Sequence, residues 1–122
     1  MKTFNTQVCT TKEQSKRLLE LGLKKETADM VYCVELYENG WKYSSTAYVL
    51  EGNLGVDDIP AWSLHRLISL CEHGITINHK SNVITYNMCR DFYGLETIYD
   101  NLIDCIEYLI NEGWFNKEYL EE

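Results

Sequence analysis

IPAWSLHRLISLCEHGI, residues 59–75, is the stretch on which the fold depends. It contains the chain's one proline and separates two segments with hairpin character. Pro60 follows the acidic pair Asp57-Asp58 and suits the first turn of an α-helix, where proline loses no hydrogen bond and negative charge favours the helix dipole. Gly74 suits the end of that helix. We therefore expect a central helix from Pro60 to the residues before Gly74.

The chain before this stretch has the pattern of a helix followed by a hairpin. Thr10 and Glu13 have the spacing of a capping box, in which the two side chains satisfy amides at a helix start. Asn39-Gly40 is a strong hairpin signal, and a two-residue loop there places Leu36 opposite Tyr43. We expect the face that carries Leu36 to be the drier face of this hairpin.

The chain after the central stretch has the pattern of a second hairpin followed by a long helix. Residues 75–77 and 84–86 alternate, so an even-length turn places their isoleucines and Tyr86 on one face. The last helix follows a 3.6-residue apolar repeat, formed by Leu95, Ile98, Tyr99, Leu102, Ile103, Ile106, Leu109 and Ile110. Gly22 and Gly113 can adopt the positive φ that ends the first and last helices.

The order helix, hairpin, helix, hairpin, helix predicts an α+β fold with the helices packed on an antiparallel β-sheet. A chain of 122 residues can bury one core, and we expect residues 1–122 to form a single domain with disorder confined to the ends. The sequence has neither an apolar run that could span a bilayer nor a signal peptide. Five widely spaced cysteines suit reduced thiols. These features predict a cytoplasmic protein.

The negative charge is concentrated in the second part of the chain. Residues 51–122 carry 13 acidic and 4 basic side chains, and the net charge of the chain is -8. Such a balance disfavours the phosphate backbone of nucleic acids and anionic membrane surfaces. It favours a basic protein partner.

The last helix has an acidic face opposite its apolar face. At about 100° per residue, one stripe is formed by Glu96, Asp100, Asp104 and Glu107. No lysine of the helix neutralises these carboxylates. Like charges four residues apart destabilise a helix by about 0.2–0.5 kcal/mol per pair. A solvated face that keeps the protein soluble would explain the stripe. The alternatives are docking of a basic partner and binding of a divalent metal ion.

Trp62 and Arg66 lie on the side of the central helix away from its leucines, so Trp62 points away from the expected core. One explanation is that a chain end covers Trp62, or that the turn at Pro60 redirects it inward. The other is that Trp62 and Arg66 bind a partner protein or form a homodimer, since Trp and Arg are enriched in interface hot spots.

No pattern in the sequence requires catalysis or a cofactor. A phosphate loop, a glycine-rich dinucleotide turn and a G-x-S-x-G elbow are all lacking. Cys71, His73, His79 and Cys89 are the nearest set of metal ligands, but they lack the paired spacing of a zinc site. Cys71 falls near the negative end of a helix dipole, which disfavours a reactive thiolate. We predict a protein that is not an enzyme and has no metal or cofactor.

Three short motifs carry a family resemblance: TKEQSKRLLELGL at residues 11–23, TADM at 27–30 and IPAWSL at 59–64. They resemble a family of small uncharacterised proteins from prophages and mobile elements of Bacteroides-type gut bacteria. The resemblance covers the first helix and the central stretch well, and the last helix loosely. It implies a phage-related cytoplasmic context and assigns no catalytic residues.

These observations predict a small accessory protein that binds another protein through the acidic stripe and the surface of Trp62 and Arg66. The alternative is a winged-helix DNA-binding protein, with a helix-turn-helix at residues 15–22 and 27–32 and a wing at Asn39-Gly40. Residues 30–36 alternate as a strand where the recognition helix should lie, which counts against the alternative.

Overall fold

The computed structural model describes residues 7–72, 74–78, 80–87, 90–94 and 97–121. In this part of the chain, three α-helices and eight β-strands form an α+β fold, as predicted. The strands make three small antiparallel sheets, so the prediction of one sheet that carries all the helices is wrong. The first predicted hairpin divides between two of these sheets, and its outer half extends away from the core.

Helix α1 spans Lys12–Glu20 and begins with a capping box. The Thr11 side chain accepts from the amide of Gln14, and the Gln14 side chain accepts from the amide of Thr11. The box therefore lies one residue later than the predicted pair Thr10 and Glu13. Thr10 is buried, and its hydroxyl bonds both α1 and the central stretch.

Gly22 ends α1 as predicted. Its φ is 105°, a conformation that glycine adopts without steric cost. The amide of Leu23 then donates to the carbonyl of Leu18 at 3.1 Å. This is the Schellman arrangement, which satisfies a carbonyl that the helix leaves unpaired.

The first hairpin is a long pair of strands whose register changes along its length. Strands β1 (Met30–Tyr32) and β2 (Val34–Tyr37) run outward, and β3 (Gly40–Tyr43) and β4 (Tyr48–Val49) return beside them. At the base, β1 and β4 keep the predicted register. At the tip, β2 and β3 are shifted by two residues.

A bulge in the returning strand causes this shift. Val31 pairs with Tyr48 near the base, whereas Cys33 accepts a backbone hydrogen bond from Ser44 at 2.8 Å farther out. On the outgoing side, one residue lies between Val31 and Cys33. On the returning side, three residues, 45–47, lie between Ser44 and Tyr48. The two additional residues interrupt the ladder and bend the strand pair.

The tip of the hairpin has a two-residue loop, Glu38-Asn39, which begins one residue earlier than the predicted loop Asn39-Gly40. Tyr37 pairs with Gly40, and Leu36 pairs with Trp41 rather than with Tyr43. Gly40 has a φ of 106°, a conformation that glycine adopts without steric cost. Asn39 is not among the positive-φ residues, so the turn does not have the primed geometry that Asn-Gly favours.

The central stretch is a strand followed by a shorter helix, so the prediction of a helix that begins at Pro60 is wrong. Strand β5 (Ile59–Ala61) pairs with β1 in the order β4-β1-β5. Because β5 lies at an edge of this sheet, the missing amide of Pro60 is tolerated. Helix α2 (Leu64–Cys71) begins only after Ser63, whose side chain caps it.

The end of α2 also differs from the prediction. Glu72 adopts the left-handed conformation with a φ of 56°, so Gly74 is not the residue that stops the helix. The Glu72 carboxylate accepts hydrogen bonds from Asn116 and Tyr119. These two bonds connect the end of α2 to the C-terminal residues.

The second hairpin has the predicted register. Strands β6 (Ile75–Asn78) and β7 (Val83–Tyr86) pair with Ile77 opposite Ile84. A third strand, β8 (Arg90–Phe92), pairs with β7 on its other side. The sequence analysis did not identify β8, because three residues are too short for an alternating pattern.

Helix α3 (Ile98–Asn111) is the centre of the core and is capped by Thr97. Its Gly113 ending is as predicted, with a φ of 76° and a 2.9 Å hydrogen bond from the amide of Trp114 to the carbonyl of Leu109. The largest fully buried side chains of α3 and its neighbours are Leu18, Leu23, Trp62, Leu67, Ile84, Leu102, Ile103, Ile106 and Leu109.

Residues 117–121 are the last described residues, and they pack against the segment that follows α1. We call them the strap. A 3₁₀ turn, Lys117–Tyr119, precedes Leu120, which pairs with Leu23. Backbone hydrogen bonds of 2.8 and 2.7 Å flank this pair. The strap therefore fixes the segment that follows α1.

Candidate functional site

The acidic face of α3 contacts α1. Nη2 of Arg17 donates to Oδ1 of Asp104 at 2.6 Å and to Oε2 of Glu107 at 2.7 Å. Burial lowers the pKa of Arg17, but the hydrogen bonds and charges of the two carboxylates outweigh it and raise that pKa above its ordinary value. The guanidinium thus balances much of the charge of this part of the stripe.

The stripe is also bonded at its N-terminal side. Nε2 of Gln14 donates to Oδ1 of Asp100 at 2.8 Å, and the Thr97 hydroxyl lies 2.9 Å from the other oxygen of Asp100. Glu96 lies outside the described residues, as does Leu95. The helix wheel of α3 shows that no lysine of α3 pairs with the carboxylates of the stripe. It cannot show the partners that α1 supplies. The stripe of Asp100, Asp104 and Glu107 is therefore already used within the chain.

Trp62 belongs to the core and not to an exposed surface. Its exposed fraction is 0%, and Nε1 donates to the Thr27 hydroxyl at 2.9 Å. The helix-wheel placement of Trp62 on the outer side is wrong because Trp62 precedes α2 and does not follow its helical spacing. Of the two explanations offered for Trp62, the burial supports the one in which the side chain lies inside the protein. Trp62 is therefore not available to a partner protein or to a second copy of the chain.

Arg66 is exposed on α2, beside a cleft of about 650 Å³. Lys24 lies in the same cleft, and three carboxylates line it, those of Glu26, Glu118 and Glu121. Charges of both signs surround the cleft, so it does not favour one class of charged ligand. With Trp62 buried, the predicted pair of Trp62 and Arg66 does not form one surface.

The cysteines for which burial is described lie mostly in the core. Cys9, Cys71 and Cys105 are buried, and the adjacent Cys105 thiol together with burial raises the pKa of Cys71. His73, His79 and Cys89, the other members of the candidate metal set, fall on residues that the structure leaves undescribed. Within the described ranges, no group of three or more His, Cys, Asp or Glu side chains could hold a metal ion.

One face of the hairpin tip is an exposed surface of apolar and aromatic side chains. Because the tip pairs Leu36 with Trp41 and Val34 with Tyr43, these four side chains share one face. Leu36 is 67% exposed and Trp41 is 69% exposed. None of the four belongs to, or packs against, either cluster of buried apolar residues. We call this surface the hairpin face.

A loop beside the hairpin face completes a groove. Val56 is 95% exposed at the loop, and the loop carries the acidic pair Asp57 and Asp58. Oδ2 of Asp58 accepts from the amide of Gly55 at 2.9 Å, which orders the loop. The groove between the loop and the hairpin has a volume of about 640 Å³ and includes Trp41 among its lining residues.

The opposite face of the hairpin tip is polar. Glu35 pairs across the strands with Lys42, and its carboxylate accepts from the hydroxyls of Tyr37 at 2.7 Å and Tyr48 at 3.1 Å. The two faces therefore differ sharply in chemistry although both are open to solvent.

The sequence pattern grouped three of the four residues of the hairpin face but did not show their exposure. Alternation placed Val34, Leu36 and Tyr43 on one side, and the two-residue shift preserves that grouping. The expectation that this side is the drier one is wrong at the tip, because neither a helix nor a second sheet covers Leu36 and Trp41 in the described structure. At the base of the hairpin, Tyr32 on the same side is buried. Alternation reports which side chains share a face and not which layer lies above it.

Within the described residues, none of the helices combines the length and the apolar character that crossing a membrane requires. Comparison of the chain with protein-family models, with curated proteins and with solved structures found no match.

Proposed function

We propose that this protein acts by binding another protein through the hairpin face. The observation that supports the proposal is the exposure of the paired residues Leu36 and Trp41, together with a groove that Trp41 and the exposed Val56 both line. Contiguous exposed apolar surface on a small protein is typical of an interaction site. Tryptophan and tyrosine are also the residue types that dominate interface energetics.

The stability of the chain does not account for this surface. The hairpin face lies outside the buried clusters, so its apolar side chains gain little from burial in the isolated protein. Exposed apolar side chains on a two-stranded hairpin also favour nonspecific association. A binding role gives these residues a function that folding does not.

The proposed binding surface differs from the surface predicted from the sequence. Asp100, Asp104 and Glu107 are engaged by α1, and Trp62 is buried. The phage-related context, the cytoplasmic location and the lack of catalytic activity remain predictions from the sequence.

The DNA-binding alternative lacks the helix that it requires. Residues 27–32 were expected to form the recognition helix, but they contain the end of a 3₁₀ turn, Lys25–Thr27, and strand β1. We therefore do not propose a nucleic-acid partner.

The proposal is tested by quantitative affinity capture from the native cell, with identification by mass spectrometry. The binding variant is Leu36→Ser with Trp41→Ser, and the matched control is Tyr37→Ser, an aromatic residue on the opposite face of the same hairpin. We expect the wild type and the control to capture the same protein, and the double variant to lose about 30-fold in affinity, since hot-spot residues are worth about 2 kcal/mol or more.

Equal capture by the double variant and the wild type would contradict the proposal. Equal loss in the double variant and in Tyr37→Ser would also contradict it, because binding would not distinguish the two faces. Thermal unfolding of each variant serves as the folding control, and exposed substitutions should change stability by no more than about 0.5 kcal/mol.

A further inference from the structure

We propose that the groove beside the hairpin face binds an extended peptide segment that combines basic and apolar side chains. This inference rests on the proposed function and specifies the chemistry of the partner. Three observations support this inference, namely an apolar wall, an acidic loop and an open channel between them.

The apolar wall is formed by the hairpin. Val34, Trp41 and Tyr43 line the groove on that side. A volume of about 640 Å³ is in the range of sites that hold several buried side chains or a small ligand. The two aromatic rings can also accept the cationic group of a lysine or arginine at their faces.

The acidic wall is formed by the loop. Asp57 is exposed and Asp58 is half-buried, and both line the groove. Lys42 is the one cation among the lining residues described, and it pairs across the strands with Glu35.

The segment that contains both walls of the groove is acidic as a whole. Residues 33–58 contain five acidic side chains and one lysine, in a chain whose net charge is -8. The potential at the groove is therefore negative, which attracts and orients a basic partner.

The same charges disfavour a second copy of the chain as the occupant. In a symmetric dimer through this face, the same patch of both copies meets itself. Asp57 and Asp58 of the two copies would then approach each other, and like charges brought together at an interface oppose association. A segment with lysine or arginine beside apolar side chains has no such penalty.

The test is selection of random 12-residue peptides displayed on phage against the purified full-length protein. The variant Asp57→Asn with Asp58→Asn removes the charge but keeps an acceptor for the Gly55 amide. Its matched control, Glu20→Gln with Glu112→Gln, removes the same charge from exposed helix ends. Trp41→Ser removes the apolar wall.

We expect the wild type and the charge control to enrich peptides in which lysine or arginine lies beside aromatic or aliphatic residues. The Asp57/Asp58 variant should enrich peptides without that basic preference, and it should bind the wild-type peptides about tenfold more weakly at low salt. That difference should shrink at 1 M NaCl. Trp41→Ser should enrich no common motif.

Some outcomes of this test would overturn only this inference, and others would overturn the proposed function as well. Peptides that depend on Trp41 but show no basic preference would overturn the inference and leave the hairpin face as a binding site. Failure of the wild type to enrich any motif, or equal binding by Trp41→Ser, would overturn both. A dimer in light scattering that Trp41→Ser dissociates would assign the groove to a second copy and overturn the inference.

Discussion

Trp62 shows how a single backbone boundary decides where a side chain points. On a helix that begins at Pro60, Trp62 falls opposite the leucines. In the structure the helix begins after Ser63, and the extended backbone of Ala61 and Trp62 carries the indole inward to Thr27. The residue types at positions 57–60 suit either conformation, because a proline is compatible with both a first helical turn and an edge strand. Pairing with β1, which is remote in sequence, selects the strand.

Tyr32 provides a prediction at the residue scale. Its hydroxyl donates to the carbonyl of Thr10 at 2.8 Å and lies 3.8 Å from Sγ of Cys9. Burial, followed by the contact with Cys9, raises the pKa of Tyr32 to about 12. The folded state therefore retains this proton at a pH where the unfolded chain, with an ordinary pKa of about 10, has lost it.

The contribution of Tyr32 is fully present below pH 10 and is lost as the pH rises through 12. A shift of two units corresponds to roughly 2–3 kcal/mol. We expect the free energy of unfolding, measured by urea titration, to fall more steeply from pH 10 to 12 in the wild type than in Tyr32→Phe. Parallel pH profiles for the two proteins would contradict this account.

At the scale of elements, charged side chains form the solvent-exposed edge of the contact between α1 and α3. Arg17 joins Asp104 and Glu107, but its side chain is 37% exposed and that of Asp104 is 36% exposed. Solvent therefore screens the pair, and we expect a coupling free energy of only about 0.5–1 kcal/mol between positions 17 and 104.

A double-mutant cycle of Arg17→Glu and Asp104→Lys measures this coupling. Each single variant should be less stable than the wild type, and the double variant should recover part of the loss because the pair is restored with reversed signs. The exposed neighbour variant Lys16→Glu makes the same charge change on α1 and should alter stability by no more than about 0.5 kcal/mol. Strict additivity of the two single variants would show that the ion pair contributes nothing.

Helix ends and strand register were predictable where the signals are local. Gly22 and Gly113 end their helices as predicted, and β6 and β7 pair with the predicted parity. The tip of the first hairpin was not predictable in the same way. The two additional residues near Ser45 have no distinctive composition, and the alternation on either side of them is unbroken.

The candidate site was predictable only in part. The sequence grouped Leu36 with other side chains on one face of the first hairpin, whereas it predicted protein binding at the acidic stripe and at the surface of Trp62 and Arg66. The sequence does not show contacts between elements that are distant in the chain, such as those of Trp62 with Thr27 and of Arg17 with Asp104. A helix wheel describes the residues within one helix and carries no information about its neighbours.

At the scale of the whole molecule, the strap holds the C-terminal residues against the segment after α1. Leu120 packs on the core and pairs with Leu23. We expect Leu120→Ala to lower the free energy of unfolding by about 1–3 kcal/mol and to increase hydrogen exchange at the amide of Lys24, which donates to the strap. Lys117→Ala, an exposed substitution in the same strap, should leave both quantities unchanged. Unaltered exchange at Lys24 in Leu120→Ala would show that the strap does not protect this segment.

The bulge near Ser45 separates two kinds of position in one hairpin. Below it, β1 and β4 belong to a sheet that contacts the core, and substitutions there affect folding. Above it, β2 and β3 pair mainly with each other, so mutations on the hairpin face leave the scaffold largely intact. Natural selection can therefore change the residues of the tip without first compensating a loss of stability, and related chains should diverge fastest between residues 34 and 43.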